Sequence, residues 1–178
     1  MIWQEIKSNI NVSALIDDLA YIESIATYEK NQICLQYGKE KSWSEGVPTY
    51  YHNKEIENET DYVNWHSELD HTYIKKLLTS FDFKVSHARI MRIPERACYT
   101  THVDYYTRYH IPIISNPLKS FMIFPDKDVI LRMYPGKVYW TNTYELHNFL
   151  NGDLRPRIHI VFNNADEEKN LDNPYLRM

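Results

Sequence analysis

The chain has 178 residues, 43% of them hydrophobic, with 20 basic against 24 acidic side chains and a net charge of −4. That length supports one core and not two comfortable domains, and charge without blocks of one sign lacks the footprint that nucleic-acid binding requires. Two cysteines, Cys34 and Cys98, are too few for a disulfide framework or a zinc-cysteine site; with no leader-like N-terminus and no long apolar run, the expectation is a cytoplasmic protein free of membrane.

Taken in chain order, Leu15, Leu19, Ile22 and Ala26 recur at helical spacing behind a cap candidate, Ser13, and predict an amphipathic helix to about Tyr28. Residues 39–62 are polar and turn-rich, with Gly46, Pro48, Asn53 and Asn58, and predict a long loop that is either a lid or a disordered insertion. Trp43, Tyr50, Tyr51 and Trp65, in or beside it, are candidates for an aromatic cover over substrate or for staples onto the body of the protein. Leu69, Ile74, Leu77 and Leu78 predict a second helix over 64–80, interrupted by Asp70 and His71.

After Phe81 the chain turns to short runs of β-branched and aromatic residues punctuated by Pro, Gly and Asn. Strands are expected near 83–93, 97–103, 107–114, 119–124, 128–134, 137–141, 147–150 and 155–162. Eight such strands preceded by helices predict a mainly β fold with flanking N-terminal helices, a jelly roll. A single domain over 1–178 is expected, with a helical part to residue 82, a β core over 83–163 and a tail over 164–178. The 15 tyrosines suit half-buried strands and polar pockets alike; Tyr105, Tyr106, Tyr109 and Tyr144 are those expected near a site.

His102 and Asp104 close one predicted strand, and alternation with period two turns them to the same face. His147 opens a later strand and is a candidate third ligand. Two imidazoles and one carboxylate on one side of a metal leave positions open, the donor set of non-haem iron(II) oxygenases. Ten residues beyond His147 stands Arg157, sharing a strand face with His159 while Ile158, Ile160 and Phe162 share the other. A guanidinium on the inner wall of a barrel requires an anion, and a carboxylate matches its fork. That anion is either a bound ligand or a protein Asp or Glu. Arg108 and His110 also share a strand face and are candidates for contact with cosubstrate or substrate; structural packing explains Arg108 equally well. His52, His66, His71 and His87 fall outside the constellation and are assigned ordinary surface or core roles.

From about Arg89 to Asn163 the chain resembles the aspartyl/asparaginyl β-hydroxylase-like group of iron(II)/2-oxoglutarate oxygenases, which includes small bacterial hydroxylases of free amino acids such as proline. The resemblance rests on His102-Val-Asp104, Arg108-Tyr-His110-Ile-Pro112, Gly136-Lys-Val-Tyr-Trp140, His147-Asn148 and Arg157-Ile-His159. It implies a cupin-like double-stranded β-helix, iron(II) held by His102, Asp104 and His147, the distal carboxylate of 2-oxoglutarate on Arg157, and a second cosubstrate contact at His110. The peptidyl hydroxylases of the group lack the metal carboxylate, so Asp104 makes this chain look closer to the amino-acid hydroxylases. The implied activity is a dioxygenase that consumes dioxygen and 2-oxoglutarate and hydroxylates an amino acid or a peptidyl side chain. The alternatives are a desaturase or demethylase of the same cofactor class, and a non-catalytic cupin-like metal or small-molecule binding module. Neither the substrate nor the oligomeric state follows from the sequence.

Overall fold

The computed structural model describes residues 1–46 and 58–173. In chain order the elements are β1 (Trp3–Lys7), α1 (Val12–Ile25), β2 (Gln32–Cys34), β3 (Gln36–Tyr37), β4 (Asn64–Trp65), α2 (Tyr73–Leu78), β5 (Val85–Ile93), β6 (Ala97–Cys98), β7 (Arg108–Ile114), β8 (Ser120–Phe124), β9 (Val129–Leu131), β10 (Val138–Thr141), β11 (Asn148–Asn151) and β12 (Arg157–Asn164). A six-stranded sheet runs β1-β10-β7-β12-β5-β2, and a four-stranded sheet runs β6-β11-β8-β9, every pairing antiparallel. From β5 onward the chain crosses repeatedly between the two sheets, so that β5, β7, β10 and β12 form the body of one wall and β6, β8, β9 and β11 the other. This is the jelly roll, a cupin-like double-stranded β-helix.

Strand alternation decides which side chains face the interior. On β12, Ile158, Ile160 and Phe162 join Ala88 and Ile90 of β5 and Ile111 and Ile113 of β7 in one apolar cluster with Leu15, Leu19 and Ile22 of α1 and Ile74, Leu77 and Leu78 of α2. The helices therefore cover the outer face of the large sheet. The opposite faces of the same strands turn into the barrel, where Ile93, Met122, Phe124, Leu131, Met133, Tyr139 and Phe149 form a second, smaller core. Among the described residues no helix is long and apolar enough to cross a membrane.

Several elements differ from expectation. α1 is capped by Asn11 rather than Ser13: the Asn11 backbone is extended, its Oδ1 accepts from the Ala14 N–H at 3.1 Å, and Ser13 lies inside the first turn. Replacing Asn11 by alanine is expected to cost about 1 kcal/mol, a fall of roughly 2–4 °C in melting temperature for a chain of this size; an unchanged thermal transition would show the cap to be idle. The second helix shrinks to α2, because β4 and a 3₁₀ turn at Ser67–Leu69 occupy its expected first half, and Thr72 then caps the remaining turns, its Oγ1 accepting from Lys75 N–H. The strands expected over 97–103 and 128–134 are only β6 and β9. β1 and β2 were not expected; β1 is exposed along its whole length and so carries no in-out pattern, while β2 is three buried residues. Trp43 stacks on His66 with centroids 3.8 Å apart, and both Trp43 and Trp65 pack against the helix-side core, which makes these two aromatics staples. Tyr50, Tyr51 and His52, with the rest of 47–57 in the expected 39–62 loop, lie outside the described residues.

Candidate metal centre

The pairing of the short strand β6 with β11 continues past both strand ends. His102 and His147 face each other as an antiparallel bridge, exchanging N–H···O bonds of 3.0 and 2.9 Å, and the Asp104 N–H reaches the Thr143 carbonyl at 2.8 Å. This ladder brings side chains 45 residues apart to one place, with ligand atoms of His102, Asp104 and His147 all within 4.8 Å of one another. Asp104 Oδ1 lies 3.9 Å from His102 Nε2, and its Oδ2 lies 3.8 Å from His147 Nε2.

The donor set fits a divalent metal. Each histidine directs Nδ1 at a main-chain carbonyl, His102 at Thr100 (2.7 Å) and His147 at Glu145 (3.0 Å). A carbonyl only accepts, so both rings carry the proton on Nδ1 and leave the Nε2 lone pair free for a metal. Burial pushes His147 below its ordinary range, which keeps it neutral. Burial works against the Asp104 carboxylate, yet the neighbouring Arg108 guanidinium, by its charge and its hydrogen bond, holds it ionised and below its usual range. Burial is graded across the triad, with His147 closed in and His102 open to solvent, so one side of the centre remains accessible.

Beyond this cluster, β7 and β12 carry His110, His159 and Arg157, all buried. Arg157 has no carboxylate partner among the described residues. Its Nη2 donates to His159 Nδ1 at 2.6 Å, its guanidinium carbon sits 3.5 Å from the centroid of the Phe149 ring, and its Nε is left without a partner. Because a guanidinium only donates, His159 Nδ1 is the acceptor and the ring proton resides on Nε2. That Nε2 and both ring nitrogens of His110 are buried and unpartnered as well. Burial, reinforced by the Arg157 charge, holds both histidines neutral, and burial lowers Arg157 itself to about 9 with only Tyr99 opposing. A row of orphaned polar atoms ending in an uncompensated cation is a hydrogen-bond and charge pattern that an anion satisfies.

Of the two readings left open for Arg108, contact with cosubstrate or substrate and structural packing, its contacts fit the second. Its Nε donates to Asp104 Oδ2 at 2.9 Å, Nη1 donates to Glu59 Oε2 and to Asn163 Oδ1 (2.6 Å), and Nη2 donates to Glu59 Oε1 at 3.1 Å. With four of its five N–H donors taken by protein acceptors, Arg108 positions the Asp104 carboxylate. Glu59 was missed by sequence reasoning, and nothing local marks it out, since it stands in a 3₁₀ turn (Glu59–Asp61) inside the stretch read as loop. Among the expected tyrosines, Tyr106 is buried and donates to Asn58 Oδ1, Tyr144 donates to Glu167, and Tyr109 packs on Phe162 and Phe83 on the helix side. His87 fills the core role beneath Glu59, its Nε2 donating to the Gly46 carbonyl at 2.9 Å. Gly46 has φ +85°, and a Cβ there would meet His87 Nε2 at 2.8 Å, so only glycine fits this close approach.

No family model matches the chain, and no curated protein matches it by sequence. Solved structures do. Viral collagen prolyl hydroxylase from Paramecium bursaria Chlorella virus-1, in a truncated form, superposes with a TM-score of 0.55 at 9% identity, covering 91% of this chain and 88% of its own. The same enzyme as a 2-oxoglutarate complex gives 0.53 at 11% identity over 91% and 94%. A cupin domain from Bordetella pertussis Tohama I gives 0.39 at 16% identity over 48% and 86%. At these identities the likeness is one of fold.

Proposed function

We propose that this protein is an iron(II)- and 2-oxoglutarate-dependent dioxygenase that hydroxylates an amino acid, free or peptidyl. The observation that carries the proposal is Arg157: a buried guanidinium without a carboxylate partner among the described residues, beside the unpartnered nitrogens of His159 and its neighbour His110, in the barrel whose strands also bring His102, Asp104 and His147 together. A dicarboxylic 2-oxo acid supplies what this row lacks. Its distal carboxylate meets the Arg157 fork, and His110 and His159 offer N–H donors along the way. The fold shared with the viral prolyl hydroxylase, which was solved as a 2-oxoglutarate complex, is consistent with that occupant.

Each of the chain's own residues has a role in this reading. His102, Asp104 and His147 hold the metal on one side and leave its other positions open. Iron(II), when bound there, supplies dioxygen activation coupled to oxidative decarboxylation of 2-oxoglutarate, giving succinate, carbon dioxide and the hydroxylated product. Asp104 occupies the position a halide would need, which argues against halogenation. Arg108 fixes the Asp104 carboxylate through Oδ2, and His159 fixes the Arg157 fork through Nδ1. The Phe149 ring, which lies against the Arg157 guanidinium, excludes water from that face of the anion site.

Anaerobic addition of iron(II) and 2-oxoglutarate to the metal-free protein tests this directly. The expected result is the weak visible charge-transfer band of a chelated 2-oxo acid, absent in His102→Ala. Metal binding without the band would replace the oxygenase by a metal-binding module on the same barrel.

A further inference from the structure

Glu59 reaches the metal site from outside the β-helix, 49 residues before Arg108. Its Oε1 accepts from Arg108 Nη2 at 3.1 Å; its Oε2 accepts from Arg108 Nη1 and from Asn163 Nδ2 at 2.7 Å and lies 3.4 Å from His87 Nδ1. Asn163 completes the frame by accepting from Arg108 Nη1. The turn that carries Glu59 is riveted on both sides, by Tyr106 O–H donating to Asn58 Oδ1 and by His87 N–H donating to the Tyr62 carbonyl at 2.8 Å.

We propose that Glu59 is a positioning residue of the metal centre, which by holding both terminal nitrogens of Arg108 prevents that guanidinium from competing with the metal for Asp104. The proposal rests on the metal assignment above. Two physical reasons support it. The first is geometric: Arg108 touches Asp104 through Nε alone, at a separation of four residues, and this single bond leaves Asp104 Oδ1 for the metal. Were the Nη groups released, the favoured arrangement of an Arg–carboxylate pair would be two parallel bonds, and a bidentate grip on Asp104 withdraws the oxygen a metal needs. The second is charge: Arg108 and Arg89 are both buried, against Asp104 and Glu59. With Glu59 these four groups sum to zero; without it they sum to +1 before a dication arrives.

Cobalt(II) titration of the metal-free protein, followed by its d–d spectrum, tests the inference without recourse to turnover. Glu59→Gln is isosteric and is expected to weaken cobalt binding roughly 10–100-fold, the size of effect known for groups behind metal ligands. Glu59→Asp keeps the charge and should recover most of the loss. In an Arg108→Gln background, adding Glu59→Gln should weaken cobalt binding by less than about tenfold, the share left to charge alone once there is no guanidinium to restrain. Wild-type affinity in E59Q overturns the inference, and so does a loss of equal size with and without Arg108. Should E59Q fail to fold, the comparison of R108Q with the double variant carries the test alone, and a tenfold or larger gap between them overturns it. A wild-type protein that takes up no cobalt brings down the metal assignment itself, which is a different result.

Discussion

Replacing Arg157 by methionine is expected to raise the melting temperature of the ligand-free protein while weakening its affinity for 2-oxoglutarate by about 30-fold or more. The two effects have one cause. In the ligand-free state Arg157 is a buried cation whose direct side-chain partners, among the described residues, are a neutral imidazole and an aromatic ring. The desolvation of such an ion costs several kcal/mol even after relaxation, whereas the π contact returns roughly 1–2 kcal/mol and the lost bond to His159 about 1–3. Methionine fills much of the same volume against Phe149 with a favourable sulfur–ring contact. The balance favours the variant by roughly 1–3 kcal/mol, a rise of several degrees. On the binding side, removing one partner of a buried charge pair costs about 2–5 kcal/mol, or 30-fold to several thousand-fold in Kd. Calorimetry of the ligand-free variant and a 2-oxoglutarate titration of the metal-loaded protein read the two halves. A variant both less stable and undiminished in affinity would make Arg157 a structural cation.

The second large effect is expected at Asp104. Asp104→Ala should abolish metal binding at micromolar iron(II) and with it any turnover, while the fold survives. Survival follows from the environment of Arg108, which keeps Glu59 and Asn163 as direct partners when Asp104 is gone, so its guanidinium is not left unpaired. If the roughly 10–16 kcal/mol of a four-ligand structural zinc site is shared evenly, one ligand is worth about 2.5–4 kcal/mol, roughly two to three orders of magnitude in Kd. Equilibrium dialysis against iron(II), with circular dichroism to check the fold, measures both. Retained metal with wild-type affinity would remove Asp104 from the ligand set.

These expectations draw on different parts of what the chain encodes. The strands that carry the site were legible because each presents two faces with different jobs: Ile158, Ile160 and Phe162 against the helices, Arg157 and His159 into the barrel. Period-two alternation records that division in the sequence itself. Elements without two distinct environments, such as the wholly exposed β1 and the three-residue β2, left no pattern to find. The second helix was overextended for a related reason, since helical spacing in 67–78 is shared by a 3₁₀ turn and a short helix that point their apolar residues into the same core.

The sequence by itself determined the jelly-roll class, the shared faces of its inward residues and the three candidate ligands, because ligand type and strand parity are local properties. Only the tertiary structure decided how the charges pair. It gave Arg108 to Asp104, Glu59 and Asn163, and left Arg157 without an acidic partner among the described residues. Nothing within a few residues of Arg108 or Arg157 distinguishes those fates. The second carboxylate on Arg108 arrives from a turn 49 residues away, and in a low-dielectric interior the presence or absence of one such carboxylate sets what a guanidinium does.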